Sequence, residues 1–149
     1  MLLEKIPLGT SEADFLAAFA QVHQAGEVLT FTETLAGGEI FYRAKSKNGK
    51  LAQLSLSMNG DFTESAYNDL TVITKSIIYL QKSRGYPTAP QETKTLAWKE
   101  LIESPLPDTG DRSIQVFAAG WDSPEAKAIL SFSWTWPGQL ALEYKEDMK

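Results

Sequence analysis

The chain has no cysteine and a single histidine, His23. Without thiols, disulfide scaffolds, thiolate metal sites and cysteine nucleophiles are excluded. One imidazole leaves no two-histidine metal site and little room for histidine acid–base catalysis. The glycine-flanked serine of a nucleophile elbow is missing, as are the glycine fingerprints of phosphate and dinucleotide loops. No stretch approaches the ~20 apolar residues of a membrane-spanning helix. The opening Met1-Leu2-Leu3-Glu4-Lys5-Ile6-Pro7 lacks the basic leader and the apolar run of about 7–15 residues that make a signal peptide. Compartment stays open: exported if a leader has been removed, cytoplasmic otherwise. Excess positive charge is lacking too. A formal net charge of -5 argues against nucleic-acid binding and against adhesion to anionic membranes, and it suits solubility or a basic protein partner.

What is present is ordinary globular composition. The 149 residues are 43% hydrophobic and 22% charged, which fits one domain spanning residues 1–149. A chain of this size buries roughly 68–70% of its unfolded surface, enough to fold without a disulfide or a metal. No metal and no cofactor is expected.

A first helix is announced by Thr10 or Ser11 as cap, with Glu12 and Asp14 in the first turn, where the helix dipole favours negative charge. Phe15, Phe19 and Val22 recur at the spacing of one buried helical face. Gly26 stops this helix, which places His23 in its last turn. A strand over 28–35 follows, then a hairpin. There, Ile40, Tyr42 and Ala44 alternate on one strand and Ala52, Leu54, Leu56 and Met58 on the other. A three-residue loop, Lys47-Asn48-Gly49, sets Tyr42 opposite Leu54 and Ile40 opposite Leu56.

The most strongly patterned element is a second helix over 64–84, capped by Thr63. Its buried stripe is Ala66, Leu70, Ile73, Ile77 and Leu80, broadened by Tyr67, and Gly85 and Pro87 close it. Four strands follow in this reading: 93–101 centred on Trp98, 112–120, 126–136 and 140–145, with a loop at 104–111. Matching apolar faces around a Pro137-Gly138-Gln139 loop sets Trp136 opposite Leu140, Trp134 opposite Leu142 and Phe132 opposite Tyr144.

The fold expected is therefore α+β, two helices packed on one face of an antiparallel sheet in the order α-β-β-β-α-β-β-β-β. Residues 8–60 and 61–146 read as two copies of one unit, candidate pseudo-repeats. The segment Ile6-Pro7-Leu8-Gly9-Thr10-Ser11-Glu12-Ala13-Asp14-Phe15, followed by a hairpin with an Asn-Gly turn, resembles the repeat of the beta-lactamase inhibitor proteins and of small outer-membrane assembly lipoproteins. The exit of the second helix, Arg84-Gly85-Tyr86-Pro87, is similar to that of many small exported bacterial proteins. The resemblance implies a bacterial, non-catalytic protein that binds another protein. The chain departs from both families in having neither the disulfides of the inhibitors nor the lipidated cysteine of the lipoproteins.

Two features stand out as candidate binding sites. Arg43, Lys45, Lys47 and Lys50 cluster about the first hairpin with no acid among them, in an acidic chain. Their functional reading is a dock for an acidic ligand; their structural one is a solvated hairpin protected from aggregation. Trp121, Trp134 and Trp136 crowd one end of the last strands, and tryptophan is enriched at binding hot spots as well as in cores. Trp121 and Trp136, beside turns, are the candidates for partner contact. Asp108 to Asp111 lack the alternating oxygen ligands of a calcium loop. The functional expectation is protein binding of the inhibitor, immunity or chaperone kind. The alternative is a small-molecule binder or unrecognised hydrolase with a pocket between helices and sheet, lined by Trp98, Trp134 and Tyr144.

Overall fold

The computed structural model describes residues 1–19, 21–35, 37–85, 94–104, 113–135 and 139–149. After a 3₁₀ turn, Leu2–Lys5, the elements are α1 (Glu12–Ala18), β1 (His23–Ala25), β2 (Val28–Leu35), β3 (Gly38–Lys47), β4 (Lys50–Asp61), α2 (Glu64–Ser83), α3 (Trp98–Glu103), β5 (Ser113–Asp122), β6 (Ala126–Thr135) and β7 (Gln139–Met148). The strands form one antiparallel sheet in the order β1-β2-β3-β4-β7-β6-β5. A four-stranded meander, β1 to β4, follows α1, and a three-stranded one, β5 to β7, follows α2 and α3; their final strands, β4 and β7, pair with each other. The chain is mixed α+β and mostly sheet.

Alternation along the strands sends one set of side chains to the helices and the other to the opposite face. On the helix side Phe31, Tyr42, Leu56, Tyr144, Leu130 and Ala119 form one continuous row, all buried. The adjacent row runs Leu29, Ala44, Leu54, Glu146, Ala128 and Trp121. Over these rows α2 lays Tyr67, Leu70, Ile73, Ile77 and Leu80, packing on β4, β7 and β6. Its cap is Thr63, whose side-chain oxygen accepts from the Ala66 N–H at 3.2 Å. Gly60 lets the helix start this close to β4: a Cβ there would lie 3.0 Å from the Ala66 Cβ.

Ser11 caps α1, accepting from the Asp14 N–H at 3.1 Å, while the Thr10 hydroxyl donates to the Pro7 carbonyl. Helix α1 is shorter than its apolar spacing suggests. Phe19 is already extended at φ -125, yet its ring stays 5.0 Å from Phe15 and 5.7 Å from Phe31. His23 accordingly lies not in a helix but on β1, exposed, opposite Thr30. Gly26, at φ +63, turns β1 into β2 instead of ending a helix.

Three further expectations are corrected. Residues 98–103 are helical, not a strand: Trp98, Leu101 and Ile102 fall at i, i+3, i+4, and Leu101 is buried. The β3–β4 turn has two residues, Asn48 and Gly49, both with positive φ, and Lys47 opposes Lys50. A bulge between Lys45 and Ser46 in that pairing then sets Tyr42 opposite Leu56 rather than Leu54. In the last hairpin Trp134 opposes Leu140 and Phe132 opposes Leu142, again two residues from the expected register. Both slips keep every side chain on its face, so the period-2 pattern is blind to them. The loop over 104–111, Trp136 and the turn after it lie wholly or largely outside the described residues.

Candidate functional site

Helices cover one face of the sheet, and the other carries a trough open to solvent. Its floor is built by two neighbouring cross-strand rows. One runs Thr30, Arg43, Ser55, Lys145, Ile129 and Gly120. The second runs Thr32, Phe41, Ser57, Glu143, Ser131 and Ala118. Small residues occupy the middle, on β4, and large apolar ones stand to either side. Phe41 is 49% and Ile129 62% exposed.

Two concavities follow from this shape. One of about 510 Å³ lies over β2, β3 and β4, between His23, Thr30, Phe41 and Arg43. Another of about 370 Å³ lies over β4, β7 and β6, between Ile129, Ser131, Glu143 and Lys145. They share Ser55 and Ser57, so together they cross six strands, from His23 on β1 to Ile129 on β6. The Ser55 hydroxyl donates to the Arg43 carbonyl at 3.3 Å.

The cations singled out in the sequence belong to this face. Arg43, Lys45 and Lys47 alternate with the buried Tyr42, Ala44 and Ser46 and are exposed, and Lys50 faces Lys47 across the turn. Among the described residues none of the four forms an ion pair. Lys145 approaches Asp147 at 3.9 Å, both partly exposed. On the helix side the segment before α1 is tied to the same hairpin: the Gly9 N–H donates to the Leu51 carbonyl at 2.8 Å, and the Leu51 N–H to the Thr10 carbonyl at 2.9 Å. That pairing fixes the hairpin tip and the lysines on it.

Trp121 is placed on the core side. It is 2% exposed, its ring 6.5 Å from that of Tyr144 in an edge-on arrangement, so the indole presents no surface to a partner here. Trp136 lies outside the described residues. Trp134 stacks on Phe62 at 4.3 Å, Trp98 tilts against Phe62 and Tyr67, and the Tyr144 hydroxyl is engaged with Glu146.

Inside, two phenols are tuned by their surroundings. Burial above all, then the hydrogen bond to Glu33 and that residue's charge, push Tyr42 well above the ordinary phenol range. Tyr144 moves the same way, by burial first and then by the charge and hydrogen bond of Glu146, with Arg84 and Gln81 opposing. These groups hold the core together and are closed to a substrate. Among the described residues no three histidine, aspartate or glutamate side chains are placed to share a metal ion, and no helix is long and apolar enough to cross a membrane.

Sequence reasoning missed Phe41, Ser55, Ser57, Ile129 and Lys145. A signal for two of them existed. Phe41 falls between Ile40 and Tyr42, and Ile129 between Ala128 and Leu130, so each is a large apolar residue in the polar phase of its strand. Comparison with protein families, curated proteins and solved structures finds no match for this chain.

Proposed function

We propose that this chain is a non-catalytic protein-binding module that meets its partner with the open face of its sheet. The observation that carries the reading is the trough flanked by Phe41 and Ile129, two apolar side chains about half or more exposed on a face otherwise lined by serine, threonine and charge. Apolar anchors amid a polar rim make up the anatomy of a protein interface. The trough is wide and shallow, lacking the enclosure that a small ligand needs for most of its surface to be buried.

The test replaces Phe41 by a photo-reactive phenylalanine analogue of nearly the same shape, and as a control Tyr79, which is 72% exposed on α2. Illumination in the native cells should join the Phe41 variant to one discrete polypeptide and leave the Tyr79 variant unjoined. Absence of any such adduct at Phe41, or equal labelling from both positions, would remove the reading.

A further inference from the structure

Resting on that reading, we propose that the occupant of the trough is an acidic segment of a partner polypeptide, with carboxylates at Arg43 and Lys145 and an apolar side chain over Ser55 and Ser57. Charge makes the first part of the case. The protein is acidic overall at -5, yet Arg43, Lys45, Lys47 and Lys50 stand together on this face with no ion pair among the described residues. A partner that covered them with apolar or basic surface would leave buried cations uncompensated, which is costly. Carboxylates compensate them and also speed the encounter.

Geometry makes the second part. Arg43 and Lys145 flank Ser55 in one cross-strand row, and two strand spacings put their backbones about 10 Å apart. Ser55 and Ser57 leave room between these cations, and Phe41 and Ile129 wall that room on its two sides. An apolar side chain between two acidic ones fits such a sequence of surfaces. Glu143 and Asp147, the acids nearest Lys145 on β7, restrict carboxylates to the Arg43 side and to Lys145 itself. Nucleic acid fits less well: a polyphosphate would be repelled by the rest of an acidic protein and would leave Phe41 and Ile129 without partners.

The test uses the full chain and two synthetic peptides, one with a central Phe-Leu flanked by glutamates, the other with lysines in place of the glutamates. Amide resonances of Arg43, Ser55, Ser57 and Lys145 should shift with the acidic peptide and not with its lysine counterpart. Arg43→Glu should weaken that binding at least tenfold, with the dispersion of the spectrum unchanged to show an intact fold. The proposal is overturned by silence of these resonances, by equal binding of the lysine peptide, or by a DNA duplex or anionic vesicle shifting them where the acidic peptide does not. A Phe41 adduct with one polypeptide, found alongside silence towards the acidic peptide, defeats the acidic occupant and leaves the protein-binding reading in place. No adduct and no shift defeats both.

Discussion

Tyr42 and Tyr144 stand in one row across the core face of the sheet with only Leu56 between them, and each phenol donates its proton to a glutamate. The Tyr42 bond to Glu33 is 2.7 Å, and Glu33 also accepts from the Leu2 N–H at 2.9 Å. Both phenols are held protonated above their ordinary range by burial and by the adjacent carboxylate.

Alkaline sensitivity follows. A phenol with a raised folded-state pKa contributes fully below its unfolded value, near 10.0, and loses that contribution as pH climbs beyond it. Each pH unit above that point should remove about 1.4 kcal/mol per tyrosine. Urea unfolding at about pH 9 and about pH 11 should therefore show a steep drop. Tyr42→Phe should flatten the drop by roughly one tyrosine's share. An equal slope in that variant would show that Tyr42 is free to ionise in the fold.

The second prediction concerns Glu146, 4% exposed on the core face. It accepts from Arg84 at 2.8 Å, from Gln81 at 3.2 Å and from Tyr144. Removing the carboxylate leaves a half-buried guanidinium and a buried phenol without their acceptor. Glu146→Ala should cost about 3–5 kcal/mol in denaturant unfolding, whereas Glu143→Ala, on the exposed face of the same strand, should stay within about 0.5 kcal/mol. Comparable losses from the two would mean that the cluster does not close the core at this end.

A third prediction isolates the β3–β4 turn. Gly49 sits at φ +75 with open space around its Cα, and Asn48 at φ +55. Gly49→Ala meets no side chain, so its cost is backbone strain alone, about 1 kcal/mol or somewhat more. Asn48→Gly should change stability by only a few tenths of a kcal/mol. A neutral Gly49→Ala variant would show that the turn relaxes to another type.

The turn also marks what a single sequence can convey. The phase of every core strand from β2 to β4 was legible, because Leu29, Phe31, Tyr42, Leu54 and Leu56 alternate with polar residues. Helix α2 was legible from its cap to its last turn, because twenty residues repeat one apolar stripe. Registers were not: a two-residue slip returns the same face, and only the bulge at Ala52, opposite Lys45 and Ser46, and the pairing of β7 with β4 select one. Helix α3 was hidden because six residues are too few to declare a period. The sequence pattern ends strand β7 at Lys145, since nothing local announces that the charged Glu146 points inward at Arg84 and Gln81, 62 and 65 positions earlier in the chain. Of the binding candidates, Arg43, Lys45 and Lys47 are legible in the sequence as a basic cluster with no acid among them. Trp121 illustrates the converse, because composition does not distinguish a tryptophan in a core from one on a surface.

The last prediction separates stability from binding on neighbouring positions of the sheet. Phe41 and Tyr42 are consecutive and point to opposite faces, as do Ile129 and Leu130. Phe41→Ser and Ile129→Ser remove exposed apolar surface that packs on no helix, so the urea midpoint should move by no more than about 0.5 kcal/mol in free energy. The same pair should weaken capture of the partner by tenfold or more, since truncated anchors at an interface cost on the order of 2 kcal/mol each. Leu56→Ala, on the covered side of β4 at 1% exposure, should do the reverse: a loss of about 2–5 kcal/mol in stability from the cavity it leaves, with affinity unchanged for the fraction that stays folded. If Phe41→Ser and Ile129→Ser instead destabilise the fold as Leu56→Ala does, the uncovered face contributes to the body of the protein, and the trough is not a surface kept for a partner.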